Sequence, residues 1–281
     1  MQPPDTRELN WTLSRPVRIG IVAAAAVTLL SCAILLPPFA QRLAYHAFAD
    51  TREILGIPNF WNVATNLPFL FVGIAGLNFV LRAHAPQQAF QDSRERWPYA
   101  VLFLGVALTS AGSAYYHLAP DNQRLVWDRL PMTIGFMAIV AATLAERVNI
   151  DAGVRLLGAL VALGVASVIW WSVSAGRGAE NLRPYIVVQF GSIAIVLLIA
   201  ALFPSRYTHA ADLLLVIVLY AAAKAAEHFD QALFALGSIF SGHSLKHVLA
   251  AAAVYQILRI LKARSVRCGQ EPNAAKTALR C

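Results

Sequence analysis

The sequence predicts an all-α polytopic membrane protein, a seven-transmembrane-helix core with one extra N-terminal transmembrane helix. Three observations carry that prediction. The 281 residues are 58% hydrophobic and 14% charged, whereas a soluble domain carries about 25% charged residues. The hydrophobic residues gather into runs near the roughly 20 residues that a helix needs to cross a bilayer. The basic residues are distributed over the connections between those runs as membrane topology would place them.

Eight runs qualify as spans: 19–40, 60–81, 98–118, 126–145, 154–174, 185–203, 210–226 and 233–261. The first follows a basic stretch, as a signal peptide would. Its length and the sequence "LLPPFAQ", a poor cleavage site, favour a retained helix. With the N-terminus cytoplasmic, fourteen Lys and Arg of loops and tails fall inside, from Arg7 to Arg280, and five fall outside (Arg42, Arg52, Arg124, Arg177 and Arg183). Both termini are therefore expected in the cytoplasm. The chain divides into a cytoplasmic segment (1–18), the extra helix (19–40), the seven-helix domain (50–261) and a basic tail (262–281). That tail is expected to be disordered or to lie on the inner leaflet.

The net charge of +8 does not indicate nucleic acid, because the basic residues are scattered rather than aligned on one face. Cys32, Cys268 and Cys281 show neither CxxC spacing nor an evident pairing.

Ionisable groups inside a membrane are costly and mark function by default. Here they cluster by depth. Ser113 and His117 end the third span, and Asp128 begins the fourth. Lys224 and Glu227 close the seventh, with His228 and Asp230 just beyond. His243, Lys246 and His247 fall early in the eighth, and Asn62 and Asn66 early in the second. In the expected topology all of them lie in the outer half of the bundle.

Spacing assigns chemistry to them. His243 and His247 are four apart and share a helix face. With His117 they make three imidazoles, the ligand set of a catalytic zinc site that keeps an open position for water. Imidazole suits zinc better than calcium or magnesium. Ser113 lies one turn before His117 and is placed to hydrogen-bond a carbonyl or a developing oxyanion. Asp128 is placed to take a proton from the attacking water and pass it to a leaving amine. Each has a plainer reading: packing histidines, a small residue at a helix contact, a helix cap. Their convergence at one depth favours the metal site. Lys224 and Glu227 are three apart and can pair. Lys246 is expected to point partly away from the metal and to bridge to Glu227 or Asp230, or to grip an anionic headgroup.

"SAYYHLAPDNQRLVWDRLPM" and "SGHSLKH" together resemble the alkaline ceramidases, part of a superfamily of seven-helix membrane hydrolases that includes the adiponectin-receptor-like proteins. The matching pieces are Ser113, His117, Asp128, the Leu130–Met132 stretch, His243 and His247, in order. "NFWNVATNLPF", residues 59–69, resembles the family's first core helix and favours ceramidases over an adiponectin-receptor-like or haemolysin-like receptor. The likeness spans about Asp50 to Leu261.

The resemblance implies zinc on His117, His243 and His247, Asp128 as acid–base and Ser113 steadying the oxyanion. It implies a hydrolase of linear amide bonds that splits ceramide, or another N-acyl lipid, into a sphingoid base and a fatty acid. The compact loops fit a bacterial inner membrane with the site on the periplasmic side, an endomembrane being the alternative. The partner is a membrane lipid, and oligomeric state is left open. Eukaryotic members also carry a calcium site before the first core helix. "DTREILGIPNFWN" offers Asp50, Glu53 and Asn59 there, with Asn59 where the family has Glu, and calcium needs six to eight oxygens. Arg129 stands where the family often has an acidic residue.

Overall fold

A computed structural model describes residues 13–82, 89–237 and 239–267. Residues 1–12 and 268–281, among them Arg7, Cys268, Lys276, Arg280 and Cys281, lie outside them. Among the described residues the chain is helical with no strand, and seven helices are long and apolar enough to cross a membrane. It is an all-α polytopic membrane protein.

The helices are α1 (Arg15–Leu35), α2 (Phe60–Ala64), α3 (Leu67–Leu81), α4 (Arg96–Leu118), α5 (Asn122–Arg147) and α6 (Ile150–Gly176). There follow α7 (Arg183–Ile186), α8 (Ser192–Leu202), α9 (Leu213–His228), α10 (Asp230–Ala235) and α11 (Gly242–Ala263). α4 and α5 lie at the centre, with α3 and α6 on their flanks, and α11 packs on α9 and α3. α1 is peripheral: none of its residues is buried, and Val22 and Leu29 pack toward α8.

Several boundaries differ from the sequence expectation. The second span is broken between α2 and α3. Asn66 turns its side-chain amide back to the Asn62 carbonyl at 2.7 Å, satisfying an acceptor that the interrupted ladder would leave open. The expected seventh span is shorter than a crossing helix. α9 has 16 residues, about 24 Å at 1.5 Å per residue, preceded by one 3-10 turn at Ala210–Asp212. The expected eighth span starts not near Leu233 but at Gly242; residues 230–235 form α10 instead. Ser241 caps α11, its hydroxyl accepting from the Ser244 N–H at 3.1 Å.

Two glycines set the helix approach beside the site. Pro131 has no N–H, so the Trp127 carbonyl one turn earlier loses its helical partner. Gly112 of α4 lies against that carbonyl, where a Cβ would overlap it. Ser113 and Asp128 are the next residues along each chain. Gly242 lies equally close to the Ala226 carbonyl of α9, next to His243.

At the opposite end a polar clamp closes the bundle. Arg264 is 3% exposed. It donates to Glu146 at 2.8 Å and to the Ala89 carbonyl at 2.7 Å, and its guanidinium lies 4.0 Å from the Tyr207 ring centroid. Tyr207 in turn donates to the Glu95 carboxylate. The start of the expected tail is therefore docked, not lying free on the leaflet.

Replacing Gly112 with Ala is expected to destabilise the protein by about 1–3 kcal/mol, as overpacking does. Thermal unfolding in detergent checks this, and the same change at exposed Gly158, with nothing within 4 Å, is expected to be near neutral.

Candidate metal centre

Three helix ends and one connection build the site. His117 comes from the end of α4; His243 and His247 come from the first turns of α11. Their ligand atoms lie within 4.8 Å of one another, and all three residues are buried. The His117 and His243 Nε2 atoms are 3.3 Å apart. Two nitrogens on one tetrahedral zinc at about 2.0–2.1 Å stand about 3.3–3.4 Å apart. Spacing and donor chemistry both fit a metal ion on this triad.

The neighbours orient the rings. Thr65 gives its single hydroxyl hydrogen to the Trp61 carbonyl at 2.6 Å. It therefore accepts from His247 Nδ1 at 3.0 Å, which leaves Nε2 of that ring as the metal-facing atom. A hydrogen-bonded outer nitrogen of this kind fixes a metal-binding histidine. The His243 backbone N–H donates to Asp230 Oδ1 at 2.7 Å. Asn59 donates to the His117 carbonyl at 2.9 Å. The Phe48 ring packs 4.4 Å from His243 and 4.8 Å from His117, measured between centroids.

Ser113 and Asp128, both buried, come from facing helices, α4 and α5, and line the same cavity. Arg129 points elsewhere. It donates to Gln41 at 2.5 Å and its guanidinium lies 4.3 Å and 4.4 Å from the Trp171 and Tyr185 ring centroids, an aromatic shelter for a buried cation.

Lys224 and Lys246 both pair with Glu227, the second at 2.9 Å, joining α9 to α11. Lys246 does not turn from the triad as expected: its Nζ lies 3.0 Å from His243 Nε2. Asp230, the other expected partner of Lys246, instead receives the backbone N–H groups of His243 and Ala49.

A cavity of about 240 Å³ runs inward from these groups. Ser113, Asp128, His247 and Lys246 line one end, and Val106, Met132, Ile193, Val216 and Ile257 are among the mostly apolar residues of the rest. That shape suits a lipid with a polar head and an apolar chain.

Asp50, Glu53 and Asn59 do not form a comparable cage. Both Asp50 oxygens are bonded to Arg52, Asn59 turns to His117, and Glu53 is exposed. These residues do not fit a calcium ion.

Thr65, Phe48 and Asp230 gained roles at the site that residue spacing alone did not disclose. Thr65 lies within the "FWNVATN" stretch, three residues beyond Asn62, and that placement was its one available signal.

The model of the ceramidase family matches residues 55–279. The chain belongs to the ceramidase family. No curated protein matches it. Membership in the ceramidases makes this a ceramide-hydrolysing enzyme of the amide-hydrolase type, built on helices that span a membrane.

Substituting Thr65 with Val removes the hydroxyl and keeps the shape. Metal affinity is expected to fall about 10–100-fold, measured by competition with a chromogenic chelator, while helicity is unchanged.

Proposed function

We propose that the chain is a zinc-dependent intramembrane amidase that hydrolyses ceramide-like lipids to a sphingoid base and a fatty acid. The observation that carries this reading is the meeting of three buried imidazoles with Ser113 and Asp128 at the polar end of an apolar cavity. His117, His243 and His247 hold the metal. When bound, zinc acts as a Lewis acid on the amide carbonyl and lowers the pKa of water to about 7.

The other roles belong to the chain itself. The cavity takes the acyl chain and brings the amide to Asp128. Asp128 accepts a proton from the attacking water as the new C–O bond forms. The Ser113 hydroxyl, which lines the same cavity as Asp128, donates to the amide oxygen as negative charge develops there. Asp128 then returns its proton to the nitrogen as the C–N bond breaks, so amine and fatty acid leave with atoms and charge balanced. Glu227 holds Lys224 and Lys246 as a wall beside the reacting groups, locking α9 to α11. The site faces the outer leaflet of a bacterial inner membrane, with both termini cytoplasmic.

Purified protein is expected to hold one zinc per chain and to release fatty acid from ceramide in a panel of N-acyl lipids; a chelator abolishes release and zinc restores it. Absence of stoichiometric zinc, together with a folded His117→Ala variant of unchanged activity, sinks the reading. Asp128→Asn is expected to lower kcat about 10²–10⁴-fold and Ser113→Ala about 10²-fold or more, each with zinc retained.

Lys246→Met separates the two readings of that lysine. An ion-pair lock predicts equal losses on neutral and anionic lipids alongside a lower unfolding temperature; headgroup recognition predicts a selective loss on anionic lipids.

A further inference from the structure

Asp50 is the residue on which the family resemblance would place a second cation, and in this chain its carboxylate already holds one. Arg52 closes a fork on it, Nε to Oδ1 at 2.8 Å and Nη2 to Oδ2 at 2.6 Å, and the Arg52 backbone N–H adds a bond to Oδ1 at 3.2 Å. Bidentate arginine–carboxylate pairs are among the stronger and more directional polar contacts. Asp50 is 1% exposed. Burial pushes its carboxyl up, and the Arg52 hydrogen bonds outweigh that effect, leaving it below the ordinary carboxylate value.

The same guanidinium does what a bridging ion would do. Its Nη2 donates to the Ile239 carbonyl at 3.0 Å, and it lies 5.3 Å from the Phe234 ring centroid. It therefore ties the segment before α2 to the connection between α10 and α11.

That segment leads directly to the histidines. The Asp50 carbonyl accepts from Asn62 at 3.0 Å. Asn62 in turn accepts from Ser244 at 2.9 Å and from Ser241 at 3.5 Å. Ser241 is the cap of α11, and His243 and His247 follow within its first turns. On the other side, Ala49 N–H donates to Asp230 Oδ2 at 2.8 Å, whose Oδ1 receives the His243 N–H.

We propose that Arg52 stands in for a calcium ion, a cation built into the chain that holds residues 48–62 against the start of α11, so that the protein neither requires nor responds to calcium. Arg52 is a positioning residue: it reaches the histidines through Asp50, Asn62 and the α11 cap. The link to zinc rests on the metal-centre reading above; the calcium independence does not.

The test uses the zinc-loaded full chain in detergent. Thermal unfolding is followed in calcium-stripped buffer and in millimolar calcium, and terbium luminescence probes for a lanthanide-accessible calcium site. Equal unfolding temperatures and no saturable terbium signal are expected. A saturable rise in unfolding temperature with calcium overturns the proposal.

Arg52→Gln and Arg52→Lys are then compared for zinc affinity at a temperature where circular dichroism shows both folded. Arg52→Gln is expected to weaken zinc about tenfold, with Arg52→Lys in between, because lysine keeps the charge and loses the fork. Wild-type zinc affinity in Arg52→Gln overturns the positioning role. If the wild type itself holds no stoichiometric zinc, the metal-centre reading fails, and the calcium titration alone decides whether Arg52 is the resident cation.

Discussion

Three imidazoles buried within a few ångströms of one another, two on α11 and one on α4, govern one end of this bundle. A metal-binding or catalytic constellation works only if its groups are held to about 0.5 Å. α4 and α11 are far apart in sequence and join no common loop, so other elements must supply the register. The residues before α2 do this. They pack Phe48 on two of the rings, anchor to Asp230, and reach the α11 cap through Asn62. On the other side the Gly112–Trp127 approach brings α4 and α5 close together where Ser113 and Asp128 line the same cavity.

Polar groups at this depth need partners, because hydrocarbon offers none. That requirement explains the density of side-chain bonding around the site. Asn62, Thr65, Asn66, Ser241 and Ser244 are all buried, and each is bonded to another polar group. Arg129 meets the need differently, with one hydrogen bond and an aromatic enclosure. The cavity beyond the site is mostly apolar, with Thr109, Gln189 and Tyr220 among its few polar lining residues.

Much of this was legible before any coordinates. The spans follow from apolar runs of the right length, and the four-residue spacings in Ser113–His117 and His243–His247 put each pair on one helix face. What stayed hidden depended on contacts between distant segments. Nothing in the Thr65 side chain marks it as the partner of His247, since that bond depends on how α2 meets α11. The short α9 and the late start of α11 were masked by the largely apolar stretches on either side of the Lys224–Asp230 break, 213–223 and 233–240, which hydropathy reads as membrane whether or not the chain turns. Calcium ligands were suggested by Asp50 and Glu53, yet Arg52 between them already answers the charge. The buried position of Arg264 was hidden for a similar reason, because its partner Glu146 lies on α5.

The clamp at the other end of the bundle gives its arginines two separate moments of action. In the proposed orientation Arg147, Arg206 and Arg264 belong to the basic side that retains connecting segments in the cytoplasm during biogenesis. Once the helices assemble, the same three residues turn inward, onto Glu146, Glu95 and nearby carbonyls. Replacing one of them with a neutral residue would thus weaken a sorting cue in the nascent chain and a closure in the finished protein. A failure to accumulate such a variant in cells would combine misinsertion with instability, two defects that act at different times.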